Sequence, residues 1–223
     1  MSVSRDLEYY AGLVTELSKL PNETEWVEFK VNNDHPQQIG EYISALANAA
    51  ALNGKAHAYL IWGVENLSHK IVGTDFDPAS AKKGNEPLEN WLLRLLQPRI
   101  HFRLVEVFLD EKRIVCMEVE RAVRHPVSFS GTEYVRIGEV KKPLKDAPDR
   151  ERDLWRIFDD TPFENLVAAE RVDGNDVLQL LDYPAYFELL DQPLPPSSDT
   201  IVAALAGDGI IHACDQKKKK KKK

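Results

Sequence analysis

Residues 56–64 constrain this chain most. Tyr59, Leu60, Ile61 and Trp62 follow one another without a charged residue, so the segment is apolar on both parities of a strand. It is far too short to cross a bilayer. A strand with no face for water must be covered on two sides, which predicts a central strand with packed layers above and below it. The chain has 223 residues, 43% hydrophobic and 9% aromatic, enough for one well-packed domain plus a smaller piece. That composition excludes disorder over most of the length.

Around this strand the periodicity changes element by element. Leu7, Tyr10, Val14 and Leu17 recur at helical spacing and predict an amphipathic helix over 4–19, ended by Pro21. Residues 26–30 alternate as a short strand, with Val27 and Phe29 on one face and Trp26, Glu28 and Lys30 on the other. Ile39, Ile43, Leu46 and Ala50 mark a second helix. Its further alanines, Ala45, Ala47, Ala49 and Ala51, permit close approach to a sheet, and Gly54 is placed to end it. Residues 66–70 read as a turn and 71–73 as a short returning strand. Leu88, Trp91, Leu92, Leu95 and Leu96 form the core stripe of a third helix. Residues 103–109 and 112–119 predict a hairpin about Asp110-Glu111, and 134–137 a last strand before Gly138. The fold class predicted is α+β, a mixed sheet with packed helices.

Residues 139–150 are polar and interrupted by Pro143 and Pro148, which predicts a boundary or an exposed arm and places the first domain at 1–150. Residues 151–216 read as a mainly helical region. Thr161-Pro162-Phe163-Glu164 is a capping box with proline at the first helical position. Short helices follow over 177–181 and 185–190. A helix over 201–205 leads through Gly207-Asp208-Gly209 into a strand at Ile210-Ile211, an order that predicts part of a winged-helix-like unit. Residues 217–223 are seven lysines with no transition from what precedes them; they read as an artefact and are set aside from the fold. Without those seven charges the formal net charge of −7 becomes −14. A chain that acidic is not steered toward phosphate as a whole, so any contact with nucleic acid must come from a local basic patch.

The first seven residues contain Arg5 and Asp6 and no apolar run, so they do not read as a secretory signal. Cys116 and Cys214 stand in no metal or redox spacing. Each predicts a buried apolar thiol, and the compartment predicted is the cytoplasm. The six histidines show no paired ligand spacing, and neither G-x-x-x-x-G-K-[ST] nor G-x-G-x-x-G occurs.

Three blocks in order carry a resemblance: Glu23-Thr24-Glu25-Trp26-Val27-Glu28-Phe29-Lys30, then Ala45-Leu46-Ala47-Asn48, then Tyr59 through Asn66 with Val72-Gly73. Together they resemble the Schlafen/AlbA-like domain, whose members read E-x-x-x-x-E-F-K, then A-F-A-N, then a hydrophobic strand ending G-V-x-D. Tyr134-Val135-Arg136-Ile137-Gly138 is similar to that family's late strand and turn. The resemblance covers residues 20–140. Thr161-Pro162-Phe163-Glu164 and Leu180-Leu181-Asp182-Tyr183 look like the region that follows this domain in bacterial members taken for transcriptional regulators. The chain departs from the family at 49–54, where a longer stretch with one glycine replaces Thr-x-Gly-Gly. It departs again at Asn66, where nuclease-active members have an aspartate.

The resemblance implies first a nucleic-acid-binding module of a transcriptional regulator. DNA is favoured over RNA, and a homodimer would frame the groove because the chain holds one E-F-K block. The candidate phosphate contacts are Lys30, Arg136, Lys141, Lys142 and Lys145, the last three on the predicted arm. It implies second a metal-dependent endonuclease acting on RNA or DNA. There Glu23 and Glu28 would hold Mg²⁺ or Mn²⁺ and Lys30 would stabilise developing charge. Asn66 in place of the third acid weighs against that reading, and Glu65 points to the opposite face of a strand. The plainer reading of Glu28 and Lys30 is a same-face ion pair. A third class, a structural or dimerisation domain, fits the acidity best. Asn48 either positions a substrate or, as preferred here, satisfies backbone groups as a helix-end amide. No cofactor is expected outside the nuclease reading, and no membrane partner in any.

Overall fold

The chain enters through α1 (Ser2–Leu17), whose Tyr10, Val14 and Leu17 are buried on one face while Leu7 stays exposed. β1 (Val27–Lys30), α2 (Pro36–Leu52) and β2 (His57–Trp62) then form a β-α-β crossover. It sets β1 parallel to β2 with Glu28 opposite Leu60. The computed structural model describes residues 2–20, 24–159, 169 and 172–212. The chain divides into two units, Met1–Pro162 and Phe163–Lys223.

A small hairpin, β3 (Lys82–Lys83) and β4 (Glu86–Pro87), leads into α3 (Leu88–Leu95) and the short β5 (Leu96–Gln97). β6 (Phe102–Leu109) and β7 (Lys112–Glu120) are the predicted hairpin. Asp110 and Glu111 turn it at φ 48° and 62°, left-handed at both central positions as a two-residue hairpin turn demands. β7 pairs antiparallel with β2, giving the sheet order β1-β2-β7-β6. The doubly apolar run is thus an interior strand. Leu60 and Trp62 pack toward α2 with Val115 and Met117, and Tyr59 and Ile61 pack toward α1 with Ile114 and Cys116.

β8 (Ser128–Phe129), β9 (Thr132–Ile137) and β10 (Val140–Pro143) join β5 in a second sheet of order β10-β9-β8-β5. α2 packs against both sheets, against β2 and β7 on one side and β8 and β9 on the other. A helix covered on two sides needs small residues all round, which accounts for buried Ala45, Ala47, Ala49, Ala50 and Ala51. Gly40 marks the tightest approach, because a β-carbon there would lie 2.2 Å from the ring of Phe129. α4 (Pro148–Asp159) closes the unit, with Leu154 and Phe158 in the same core as α2.

Several expectations change. Residues 71–73 form no strand; a single bridge joins Val64 to Ile71, and Val72 and Gly73 then donate to the Gly63 carbonyl. Gly63 at φ 98° and Gly73 at φ 91° bend the chain where a ladder would have to continue. Residues 139–150 are not an arm but β10, a 3-10 turn (Leu144–Asp146) and the start of α4. Buried Leu144 and Ala147 pin them to the core, so the division of the chain falls after Pro162 and not at 150.

The second unit contains α5 (Gly174–Leu180), α6 (Tyr183–Leu189) and α7 (Ser198–Gly207), whose Val177, Phe187, Ile201 and Leu205 form a small core. Capping boxes start α5 at Asp173 and α7 at Ser197. Ile210-Ile211 is a bend after α7 and not a strand, so the expected beginning of a wing is not found there. The predicted box at 161–164, Cys214 and the lysine run 217–223 lie outside the described residues. Among the described residues, no helix is long and apolar enough to cross a membrane.

Candidate nucleic-acid interface

The alternation of β1 sends Val27 and Phe29 toward α1 and leaves Glu28 and Lys30 on the side of α2. That side is roofed by the second sheet, so Glu28 is 2% exposed. Arg136 of β9, at 0% exposure, comes down onto it. The Arg136 guanidinium donates to Glu28 Oε2 and the Lys30 ammonium to Oε1. The expected same-face pair of Glu28 and Lys30 is therefore present, with a second cation added from a residue 108 positions away.

Arg136 as a surface phosphate contact is corrected by this placement. It has no exposed surface, because the β9–β10 pairing and the helix beneath enclose it. Each oxygen of Glu28 already accepts from a cation, so a metal ion there would meet the repulsion of two positive charges. Glu23, the other expected ligand, lies outside the described residues. Among the described residues, no group of three or more His, Cys, Asp or Glu side chains is placed to hold a metal ion. Glu25 takes the Gly138 amide at 3.2 Å and Arg150 at 2.7 Å. Glu65 and Asn66 are exposed in the turn after β2.

The hairpin register sorts the lysines. Lys141 pairs with Arg136 and Lys142 with Val135, so Lys141 shares the Arg136 face while Lys142 lies on the other and is exposed. Lys145, on the turn after β10, is exposed as well. Lys141 reaches Glu41 of α2 at 2.5 Å and stands 4.3 Å from the ring centre of Tyr42 and 5.8 Å from that of Tyr134. Lys30 stands 5.1 Å from the same Tyr42 ring. The structure thus brings Lys30, Arg136 and Lys141 together and leaves Lys142 and Lys145 outside the cluster.

The protonation of these groups follows from their neighbours. Burial works against the charge on Lys30, but its hydrogen bond and attraction to Glu28 prevail and hold its pKa above the usual lysine value. Burial likewise pushes the Glu41 carboxyl up. Hydrogen bonds from Lys141 and Gln37 outweigh this and bring it below the usual carboxylate range. Tyr42 is raised by burial and by the nearby Glu28 charge, so its phenol is neutral.

Glu41, Tyr42 and Tyr134 were not among the candidate site residues of the sequence. One signal was available: Ile137-Gly138-Glu139-Val140 reads as a two-residue hairpin turn, and Gly138 adopts φ 60°. Folding the chain there would have set Lys141 opposite Arg136. Asn48 sits in mid-helix, fully buried, and bonds to the backbone of Val127 and Tyr134. It satisfies backbone groups, as preferred, but those of the second sheet and not of a helix end.

The model of the family described as Schlafen, AlbA_2 matches residues 23–145. Among solved structures, the chain is similar to the DIP2311 protein of Corynebacterium diphtheriae, at 15% identity and a TM-score of 0.42. That match covers 77% of this chain and 36% of the other, so the chain spans little more than a third of that protein. It is also similar to the N-terminal domain of a RecG-related ATP-dependent DNA helicase protein from Nitrosomonas europaea, at 22% identity and a TM-score of 0.40. There 59% of this chain and 90% of the other are covered. No curated protein matches the chain.

Proposed function

The chain belongs to the Schlafen, AlbA_2 family, and on that premise we propose that its first unit is a nucleic-acid-binding module of a transcriptional regulator. DNA is the favoured target over RNA, and a homodimer is the favoured assembly. One observation carries the reading: an otherwise acidic chain gathers Lys30, Arg136 and Lys141 in one cluster and exposes Lys142 and Lys145 on the adjoining strand and turn. Local cations of this kind neutralise phosphate where the global field cannot. The second unit is a poor candidate for the contact, since residues 172–212 hold seven carboxylates and no lysine or arginine.

The test is equilibrium binding of duplex DNA, single-stranded DNA and RNA across a salt series, using protein ending at Gln216. The expected result is weak binding with a salt slope that implies only a few phosphate contacts. Lys142→Glu with Lys145→Glu should reduce both affinity and slope. Absence of binding to every probe at low salt would remove the reading and leave the structural class. Sedimentation at tens of micromolar tests the dimer, and a strict monomer would count against it.

A further inference from the structure

β6 stands at the edge of the first sheet, yet it is apolar on both faces. Phe102 and Leu104 pack into the core on the α2 side, and Val105 and Val107 into the core on the α1 side. That is the character that made β2 an interior strand. Edge strands are ordinarily guarded by lysine, proline, a bulge or shortness. Residues 102–109 contain no lysine and no proline. Their register with β7 runs unbroken from Phe102 opposite Val119 to Leu109 opposite Lys112. Phe108, near the end of the strand, is 63% exposed.

The ladder decides which backbone groups face out. One step beyond Phe102 and Val119, the Glu120 amide donates to the His101 carbonyl at 3.1 Å, so His101 and Glu120 are a hydrogen-bonded pair. Such pairs alternate with non-hydrogen-bonded ones along an antiparallel ladder. Arg103, Val105 and Val107 therefore turn their amides and carbonyls to β7, and Phe102, Leu104, Glu106 and Phe108 turn theirs away from it. Among the described residues, no strand pairs with that outward row.

We propose that the edge of β6 pairs with the β6 edge of a second copy of this chain, antiparallel about a two-fold axis, so that two four-stranded sheets join into one. A two-fold axis normal to the sheet sets one residue of the strand opposite its own copy. Centred on Arg103 or Glu106, it would set like charges face to face. Centred on Leu104, it would set Phe102 against a carboxylate, Glu106 of the second copy. Centred on Val105, it sets Phe102 opposite Phe108, Arg103 opposite Val107 and Leu104 opposite Glu106 of the second copy. Outward backbone groups then meet outward backbone groups, and the exposed Phe108 gains an aromatic partner on both sides of the axis. This deepens the homodimer reading, on which it rests, by naming the interface, and it does not draw on the nucleic-acid contact.

The experiment uses the full chain with Cys214→Ser, which leaves the buried Cys116 as the one native thiol. Val105→Cys is added and the protein is treated with oxidised glutathione, which takes up the electrons and protons of two thiols as they join in one disulfide. Residues facing each other in a non-hydrogen-bonded pair lie about 4.5 Å apart at Cα, within disulfide reach. Glu106→Cys is the control, because its two copies would lie two residues apart along the strands, beyond the reach of about 7 Å. A covalent dimer on non-reducing electrophoresis is expected from Val105→Cys and not from Glu106→Cys. Its absence from Val105→Cys, or equal cross-linking of both, overturns the proposal.

Sedimentation velocity reads the same interface without a cross-link. Phe108→Glu changes an exposed side chain, removes both aromatic pairs and should weaken the dimer by at least about tenfold. Glu106→Pro removes an outward donor while sparing the hydrogen bonds to β7, and should also weaken it. A dimer that neither variant weakens overturns this interface and leaves the homodimer standing. A strict monomer at tens of micromolar overturns both and leaves the edge to a strand of another protein. Should Glu106→Pro fail to fold by circular dichroism, Phe108→Glu and the cross-link carry the same test.

Discussion

Asn48 grips the backbone of Val127 from both sides, its Oδ1 accepting from the Val127 amide at 2.7 Å and its Nδ2 donating to the Val127 carbonyl at 2.9 Å. The same Nδ2 donates to the Tyr134 carbonyl at 2.8 Å. One turn earlier, Ser44 Oγ donates to the Val127 carbonyl at 2.6 Å and accepts from the Tyr134 amide at 2.9 Å. Two polar side chains of a buried helix thereby bridge Val127 and Tyr134, where the ladder of β8 and β9 would otherwise continue past Ser128 and Glu133.

Asn48→Ala should therefore cost about 3 kcal/mol, since it strands buried backbone groups without partners. Urea unfolding monitored by circular dichroism measures this. A loss below about 1 kcal/mol would mean that water replaces the amide, and that Asn48 is free for another role.

The triad of Glu28, Lys30 and Arg136 makes an ordered prediction. Glu28→Gln removes the carboxylate that both Lys30 and Arg136 reach and should destabilise by about 3–5 kcal/mol, the usual range for breaking a buried pair. Lys30→Met keeps the contact between Glu28 and Arg136 and should cost about 1 kcal/mol or less. Thermal unfolding of both variants checks the order, and a larger cost for Lys30→Met would refute the central place of Glu28.

Glu133 on β9 supplies a pH-dependent case. Burial and the nearby Glu151 hold its carboxyl above the usual value, so the ionised form is disfavoured in the fold. An acid raised on folding weakens the native state above its folded pKa, and the penalty fades as pH falls below its unfolded value near 4.5. Glu133→Gln should accordingly raise stability at pH 7 by a few tenths of a kcal/mol, solvent screening keeping the gain small, and by nothing near pH 3. Denaturation curves at the two pH values test it, and an equal gain at both would assign the effect to something other than charge.

Cys116 faces α1 from β7, and burial together with the Glu118 charge pushes its thiol up far beyond the ordinary range. It should resist alkylation in the native protein and react only on unfolding. The reagent is best applied to Cys214→Ser, so that one thiol is counted. Rapid native labelling would mean that α1 lifts from the sheet.

Local chemistry in the sequence determined much of this molecule. The apolar run around Leu60 had to be an interior strand, because no face of it tolerates water. Asp110-Glu111 between two alternating stretches had to be a hairpin, and the alternation of residues 26–30 put Glu28 and Lys30 on one face. Each of these follows from the period of side chains along a few residues. What lies around Glu28 does not. Arg136 is 108 residues away, and its descent onto Glu28 depends on α2 being covered by a second sheet whose strands β5 and β8 are two residues long. Segments that short carry no periodicity, and Gly40 opposite Phe129 acquires its meaning only once α2 and β8 are packed. Residues 139–150 read as an arm because their polar residues and prolines dominate locally, whereas Leu144 and Ala147 bind them to a core assembled from distant parts of the chain. Whether a lysine faces solvent or a carboxylate is likewise a matter of register. That is why Lys142 is exposed while Lys141, one residue earlier, is held by Glu41.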